Sequence, residues 1–394
     1  MPTDQARRSG WTALPILAIA AWLVVGAYSL VFGRHWFLDL SIYKAAGHAM
    51  LEGLDPYQLT FSVHHLPYTY TPFGLFLFGP LSLLPFAMLQ VVWWVLTAAA
   101  LTSALYVAVR ESTERFGRRR ALSLAALIAA VCSLALEPVR SNLDYGQIDA
   151  LLMGVIVVDL CRVTRWRGCL VGLAAAIKLT PLVFLLYFLV RRDWRGLANA
   201  VTTFTASVFV AWAALPAESS RFWFHLMFRP SRVGPVGSPS NQSWEGLLYR
   251  AGLSGAPQRW VWIALGLLTV AAGAAIAARL LESGKRIDAV FVLAVVGVLA
   301  SPISWSHEWS WMALAPVLLV ARWSEQRLVG VSMSLLLAVA VAAPYWWTVP
   351  EGVRPLAEDS LLGAGVLFLL SSLAALLWTR REAGSRLLAA TART

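Results

Sequence analysis

The chain has 394 residues, of which 59% are hydrophobic and 13% charged, with a mean hydropathy of +0.66. Soluble globular proteins carry about 25% charged residues, so an ordinary water-soluble domain is excluded and a polytopic membrane protein is expected. The net charge of +11 suggests a nucleic-acid surface only until it is placed along the chain.

Arg7 and Arg8 precede an apolar run from Trp11 to about Val31. The run is too long for a signal peptide and lacks a small-residue cleavage site, so a retained first span is expected. Further apolar runs lie at about 88–109, 121–138, 148–161, 168–190, 197–216, 260–281, 289–300, 311–321, 328–347 and 361–378. The run 168–190 has Arg162, Arg165 and Arg167 before it and Arg191, Arg192 and Arg195 after it. Loops rich in Lys and Arg stay cytoplasmic, so both ends face one side. The run then becomes two short helices meeting at Lys178-Leu179-Thr180-Pro181, where proline breaks a helix. The stretch 72–86 is expected to lie along the outer interface or to re-enter, because a crossing would force the five arginines between 110 and 120 outside.

The expected fold is an all-α polytopic membrane protein of about twelve transmembrane helices, one unit over 1–394 with both termini cytoplasmic. On this assignment 22 of the 32 basic residues and nine of the 21 acidic ones lie inside, giving +13 there and −2 outside. The basic excess orients the chain and attracts anionic lipid of the inner leaflet, and nucleic acid drops out as a partner. Cys132, Cys161 and Cys169 show no metal spacing and are expected to be structural. No cofactor and no metal-ligand cluster is expected.

Two outer segments are long: 33–86, with juxtamembrane helices, and 217–259. Long loops on a rigid scaffold are where function tends to reside. In FLDLSIYKAAGHAMLEGLDPY, Asp39 lies just beyond the first span, either as a carboxylate base or as the cap of the following helix, which carries Tyr43. Asp55-Pro56-Tyr57 signals a turn, and the adjacent His64 and His65 are expected to be solvated. Tyr68 and Tyr70 belong to the aromatic belt of the membrane or touch substrate. The segment EPVRSNLDYGQIDALLM packs Glu137, Arg140, Asn142, Asp144, Tyr145, Gln147 and Asp149 between apolar runs. Ionisable groups at membrane depth point to function. Asn142 and Gln147 suit hydroxyls, and the Arg140 guanidinium suits a phosphate.

Lys178 is the sharpest single residue, since a lysine at a helix centre costs about 2.5–3.5 kcal/mol on insertion scales. It either snorkels or meets a phosphate in a cavity. Asn241, Gln242 and Ser243 form a hydrogen-bonding turn or contact an acceptor. SPISWSHEWSW sets Trp305, His307 and Glu308 at an outer helix junction, with Trp305 offering an apolar face to a sugar ring. One acid (Asp39), a phosphate-binding set (Arg140, Lys178, His307) and several amides and aromatics are thus expected on one face.

DLSIYKAAGHAMLEGLDPY, YTYTPFG, NLDYGQIDALLM, GLAAAIKLTPLVFLL, the Asn241-Gln242-Ser243 loop and SPISWSHEW follow one another along nearly the whole chain. In that order they resemble bacterial integral-membrane mannosyltransferases of glycosyltransferase family 87. The resemblance implies the glycosyltransferase C-type fold in the plasma membrane and a polyprenyl-phosphate-mannose donor. It implies a lipid acceptor such as phosphatidylinositol mannoside or another lipoglycan, and inverting α-1,2 transfer on the extracytoplasmic face. It further implies that Asp39 is the general base, with His307 in the catalytic set, and that Lys178 and His307 meet the donor phosphate. The chain departs from the pattern twice: Asp149 stands where many relatives have Asn after Gly-Gln-x, and Glu308 stands where many have a second His. A transporter or flippase of polyprenyl-linked sugar is the alternative; such proteins show internal repeats, and this sequence shows none.

Overall fold

The computed structural model describes residues 13–32 and 37–391; Arg7, Arg8 and the start of the first expected span at Trp11 lie outside them. In chain order the helices are α1 (Leu14–Phe32), α2 (Leu38–Leu51), α3 (Pro72–Ser82), α4 (Phe86–Ser112), α5 (Arg118–Ala135), α6 (Glu137–Tyr145), α7 (Asp149–Cys161), α8 (Cys169–Ile177), α9 (Leu185–Arg191), α10 (Trp194–Ala214), α11 (Pro216–Phe224), α12 (Trp244–Arg250), α13 (Gly255–Glu282), α14 (Arg286–Ala300), α15 (Ala315–Arg322), α16 (Arg327–Ala342), α17 (Arg354–Glu358) and α18 (Ser360–Thr391). The sheet among the described residues is a two-stranded antiparallel hairpin, β1 (Thr60–Phe61) with β2 (Leu66–Pro67). His64 and His65 sit exposed at its turn.

Among the described residues five helices are long and apolar enough to cross a membrane: Phe86–Ser112, Trp194–Ala214, Gly255–Glu282, Arg327–Trp346 and Ser360–Trp378. The pair α5 and α6 makes a sixth apolar path, bent by 87°. Met88, Val91 and Val95 on α4, Phe209 and Val210 on α10, and Leu267 and Leu268 on α13 point outward and exposed. Apolar faces of this extent suit lipid rather than water, and the chain is a membrane protein. The other expected crossings fall on shorter helices, among them α7 with 13 residues and α14 with 15. Helix α14 forms the axis of the core: from Ile287 to Leu299 every residue but Gly297 is buried. A helix apolar on all sides is one that neighbours enclose.

The stretch flanked by arginines at both ends folds back on itself. Arg167 Nη1 lies 2.9 Å from Asp193 Oδ2, and Asn199 Nδ2 donates to the carbonyls of Arg165 and Arg167 at 3.0 and 2.9 Å. Between these joined ends α8 runs to Lys178. The chain then returns through a 3₁₀ turn, Thr180–Phe184, and α9, whose Tyr187 hydroxyl donates to the Leu160 carbonyl at the end of α7 (3.1 Å). Pro181 has no N–H, and its ring excludes the carbonyl four residues earlier from the helical ladder. That carbonyl belongs to Ile177, and the Thr71 hydroxyl donates to it and to the carbonyl of Ala176. At the other end of α8, Asp159 Oδ2 accepts from the N–H groups of Gly168, Leu170 and Val171 at 2.9–3.1 Å, filling donors that a helix start leaves open.

Helix α8 lies close against α10 because residue 172 is glycine. A Cβ there would stand 2.2 Å from the Ala200 carbonyl oxygen, so a side chain forces the two helices apart. Overpacking of a formed core costs about 1–3 kcal/mol. Gly172→Leu is expected to lower the thermal unfolding midpoint in detergent, whereas Gly363→Ala, with nothing within 4 Å of its Cβ, leaves it unchanged. Equal midpoints for the two variants would contradict this packing.

Candidate active site

Asp39 belongs to the first turn of α2 without capping it. The helix opens at Phe37, which has a φ of 56° and makes no side-chain cap. The Asp39 carboxylate instead accepts a 2.7 Å hydrogen bond at Oδ2 from Gln147 Nε2. Gln147 arrives there through Gly146, whose φ of 67° ends α6 in the left-handed region that glycine enters without steric cost. A Cβ at 146 would stand 2.7 Å from the Phe37 ring and 2.8 Å from the Leu40 Cβ. The Phe37 N–H donates to the Asp144 carbonyl at 2.8 Å. Glycine thus lets the α6–α7 turn close onto the start of α2.

The other end of the Gln147 amide is fixed as well. The hydroxyls of Tyr43 and Tyr70 each donate to Gln147 Oε1 at 2.8 Å, so its NH₂ group faces Asp39. Tyr43 stacks on Phe78 at 4.4 Å between ring centroids. Burial pushes the Asp39 carboxyl up to about 7, against the opposing Gln147 hydrogen bond and Lys178 charge and with the help of Asp149.

Lys178 does not snorkel. Its ammonium donates to Asp149 Oδ1 at 2.7 Å and to Glu308 Oε1 at 2.8 Å, and lies 5.6 Å from the centre of the Tyr70 ring. Asp149, His307 and Glu308 bring carboxylate and imidazole ligand atoms within 4.8 Å of one another. Residue 149 is far from 307 and 308 in sequence, and only the fold brings these three together. Lys178 already supplies a positive charge between the two carboxylates.

A cavity of about 480 Å³ opens over these groups. Asp39, Tyr43, Tyr70, Tyr145, Gln147, Lys178, Trp305 and His307 line it, as does Glu308. The Tyr145 and His307 rings pack 5.4 Å apart. Trp305 is set by the strap that contains Asn241, Gln242 and Ser243. Asn241 Oδ1 accepts from the Ser304 N–H at 2.9 Å, Gln242 N–H donates to the Ser304 carbonyl at 2.8 Å, and Ser243 Oγ donates to the Pro302 carbonyl at 3.1 Å.

Six residues expected at the site do not line the cavity. Arg140 Nη1 donates to the Leu134 carbonyl at 2.9 Å, which turns its guanidinium to the bend between α5 and α6. Asn142 is buried and reaches the His307 carbonyl at 3.5 Å. Tyr68 is fully buried, its hydroxyl donating to the Thr71 carbonyl at 3.1 Å. Asn241, Gln242 and Ser243 are fully buried, and the Gln242 side chain ties Pro239 to Glu358 and Leu362. Their polarity satisfies irregular backbone, which explains their density without a ligand. Conversely, Arg229 and Arg232 of the second long loop line the cavity. Nothing in the Pro- and Gly-rich sequence around them marked them apart from the other loop arginines.

Comparison with known proteins places the chain in a family. The profile of glycosyltransferase family 87 matches residues 68–302. The chain is 33% identical over 355 residues, 86% of its length and 82% of the relative's, to a polyprenol-phosphate-mannose-dependent alpha-(1-2)-phosphatidylinositol mannoside mannosyltransferase of Mycobacterium tuberculosis. It is 36% identical over 307 residues, 75% of its length and 71% of the relative's, to a polyprenol-phosphate-mannose-dependent alpha-(1-2)-phosphatidylinositol pentamannoside mannosyltransferase of Mycolicibacterium smegmatis. A more distant likeness, 31% over 191 residues covering 46% of the chain and 42% of the relative, is to an alpha-(1->3)-arabinofuranosyltransferase of Mycobacterium tuberculosis. The chain belongs to glycosyltransferase family 87.

Proposed function

We propose that this chain transfers mannose from polyprenyl-phosphate-mannose to a hydroxyl of a phosphatidylinositol mannoside or related lipoglycan, by inverting single displacement. The single observation that carries the reading is the Asp39 carboxylate, held by Gln147 at the wall of a cavity large enough for a sugar. The names of the relatives at 32–36% identity support mannose and the α-1,2 linkage. The same names leave the transporter alternative without support.

In the proposed reaction the acceptor oxygen attacks the anomeric carbon while the bond from that carbon to the phosphate oxygen breaks. The hydroxyl proton passes to Asp39, and the electron pair of the broken bond leaves with polyprenyl phosphate. Gln147 orients the base, and Tyr43 and Tyr70 orient Gln147. Trp305 offers the sugar an apolar face, and His307 and Tyr145 border the same space. Lys178 sits between two carboxylates and so brings no net positive charge to the phosphate, and Arg140 lies outside the cavity.

The architecture proposed is of the glycosyltransferase C type, one unit over 1–394. It has about twelve membrane-embedded helices, the two arms of the 168–192 hairpin among them, and outer segments at 33–86 and 217–259. Both termini are cytoplasmic and the cavity faces the extracytoplasmic side of the plasma membrane. This orientation is supported by the ion pairs: Arg286 with Glu111, Arg322 with Asp288 and Arg167 with Asp193 join residues expected inside, and Arg221 with Asp55 joins residues expected outside.

Positioned acid–base groups contribute about 10²- to 10⁴-fold. Asp39→Asn is therefore expected to cut transfer from a synthetic polyprenyl-phosphate-mannose by a factor in that range, with the donor still bound. Wild-type turnover by this variant in a purified, reconstituted assay would overturn the assignment.

The pH profile provides a second check. The base must be ionised, so turnover is expected to rise about tenfold per pH unit below the Asp39 value near 7 and to level off above it. The Gln147 hydrogen bond lowers that value, so Gln147→Leu is expected to move the midpoint to higher pH. A midpoint that stays fixed or falls in this variant would refute the coupling.

A further inference from the structure

The transfer proposed above releases a lipid phosphate, and neither Lys178, which lies between two carboxylates, nor Arg140, which lies outside the cavity, offers it a positive charge there. Arg229 and Arg232 do. Both line the cavity, and no ion pair among the described residues includes either of them. Arg232 is half-buried: Nη1 donates to the Tyr68 carbonyl, and the guanidinium lies 5.8 Å from the centre of the Tyr57 ring. Its Nε is buried with no hydrogen-bond partner among the described residues. Burial lowers the pKa of this guanidinium, because a charge taken out of water without a counter-ion is disfavoured. An anion in the cavity offsets that cost, and the planar guanidinium fork matches the two oxygens of a phosphate.

The surroundings say what kind of anion fits. The wall next to the two arginines carries Phe222, Leu226 and Met227, and Phe224 and Phe228 on the same segment are exposed. An apolar chain can lie along this segment while its charged head reaches Arg232. A free sugar phosphate would find the charge but would leave the apolar wall uncovered.

We propose that Arg232, assisted by Arg229, binds the phosphodiester of a lipid-linked substrate in the cavity. This rests on the mannosyltransferase reading for the identity of the lipid. The donor phosphodiester carries one negative charge, and the polyprenyl phosphate that leaves carries up to two. Both are anions that a guanidinium pair can hold, so the contact forms with the bound lipid and does not wait for the transition state. Two lipid phosphates present this chemistry, that of the polyprenyl donor and that of the phosphatidylinositol acceptor.

The test is steady-state kinetics on reconstituted full-length protein, with polyprenyl-phosphate-mannose and phosphatidylinositol mannoside varied separately. A hydrogen bond to a charged group is worth about 1.5–3 kcal/mol, so Arg232→Gln is expected to raise the KM of one lipid roughly 10- to 100-fold. Arg229→Gln is expected to raise it less, and Arg232→Lys to recover part of the loss. A rise for the donor, matched by weaker inhibition by added polyprenyl phosphate, supports the donor phosphate as the ligand. A rise for the acceptor alone supports the acceptor phosphate at the same site. Unchanged KM for both lipids, or a loss confined to kcat, overturns the proposal. Should Arg232→Gln fail to fold without its bond to Tyr68, Arg229→Gln, whose side chain is exposed, decides by the same criteria. Wild-type protein that transfers no mannose overturns the functional reading instead; wild-type transfer with unaffected variants overturns this inference alone.

Discussion

A buried lysine ammonium cannot be left alone, and the way Lys178 is satisfied organises the cavity side of the molecule. Its two carboxylate partners come from the first residue of α7 and from the turn at 306–314, while the ring over it is Tyr70 from the segment before α3. The break that places Lys178 there also strips two carbonyls from α8, and Thr71 takes both. Four distant parts of the chain are therefore registered on one charged atom and the helix break beside it. Breaking a buried pair by removing one partner costs about 3–5 kcal/mol, so these parts cannot drift independently. Gln147 lies two residues before Asp149, and the orientation of the Asp39 carboxylate follows from the same constraint.

The charge balance at that point has a chemical consequence. Lys178 lowers the Asp39 value and Asp149 raises it, so the two influences largely oppose each other and burial decides. A carboxyl near 7 suits a base that must take a proton and give it up at neutral pH. Asp149 and Glu308 are also the two positions at which this sequence departs from the pattern of the family it resembles. They are neighbours across one ammonium. A second carboxylate beside Lys178 removes the lysine as a source of net positive charge, which gives weight to Arg229 and Arg232, in no ion pair among the described residues.

Much of this was legible in the sequence where one residue type has a single physical use. Arginines on both sides of 168–190 required the hairpin, because charge sidedness outweighs hydrophobic length. Asp39, Gln147, Lys178, Trp305 and His307 fall on one cavity because polar and aromatic groups at the outer ends of apolar helices have few other places to go. What was not legible depended on direction. Arg140 lies on a short helix bent 87° from its predecessor, and sequence carries no record of which way its guanidinium turns. Asn241, Gln242 and Ser243 have the chemistry of ligand-binding groups and use it on backbone. The pairing of residue 149 with residue 308 leaves no local trace at all.

These misplacements share one cause. An unsatisfied backbone group in a lipid environment costs several kcal/mol, so every interrupted helix and loop near the membrane needs polar side chains simply to exist. Thr71, Asp159, Asn241 and Gln242 serve that need. A cavity that admits both a lipid and a sugar has to be built from interrupted helices and loops, because unbroken helices present only side chains of one period to one face. Polar density in such a protein therefore marks the neighbourhood of the site. A group whose hydrogen bonds the backbone has already claimed is tied to the fold, and Asp39, whose carboxylate lines the cavity and is held by a side-chain amide rather than by the main chain, is among those left over.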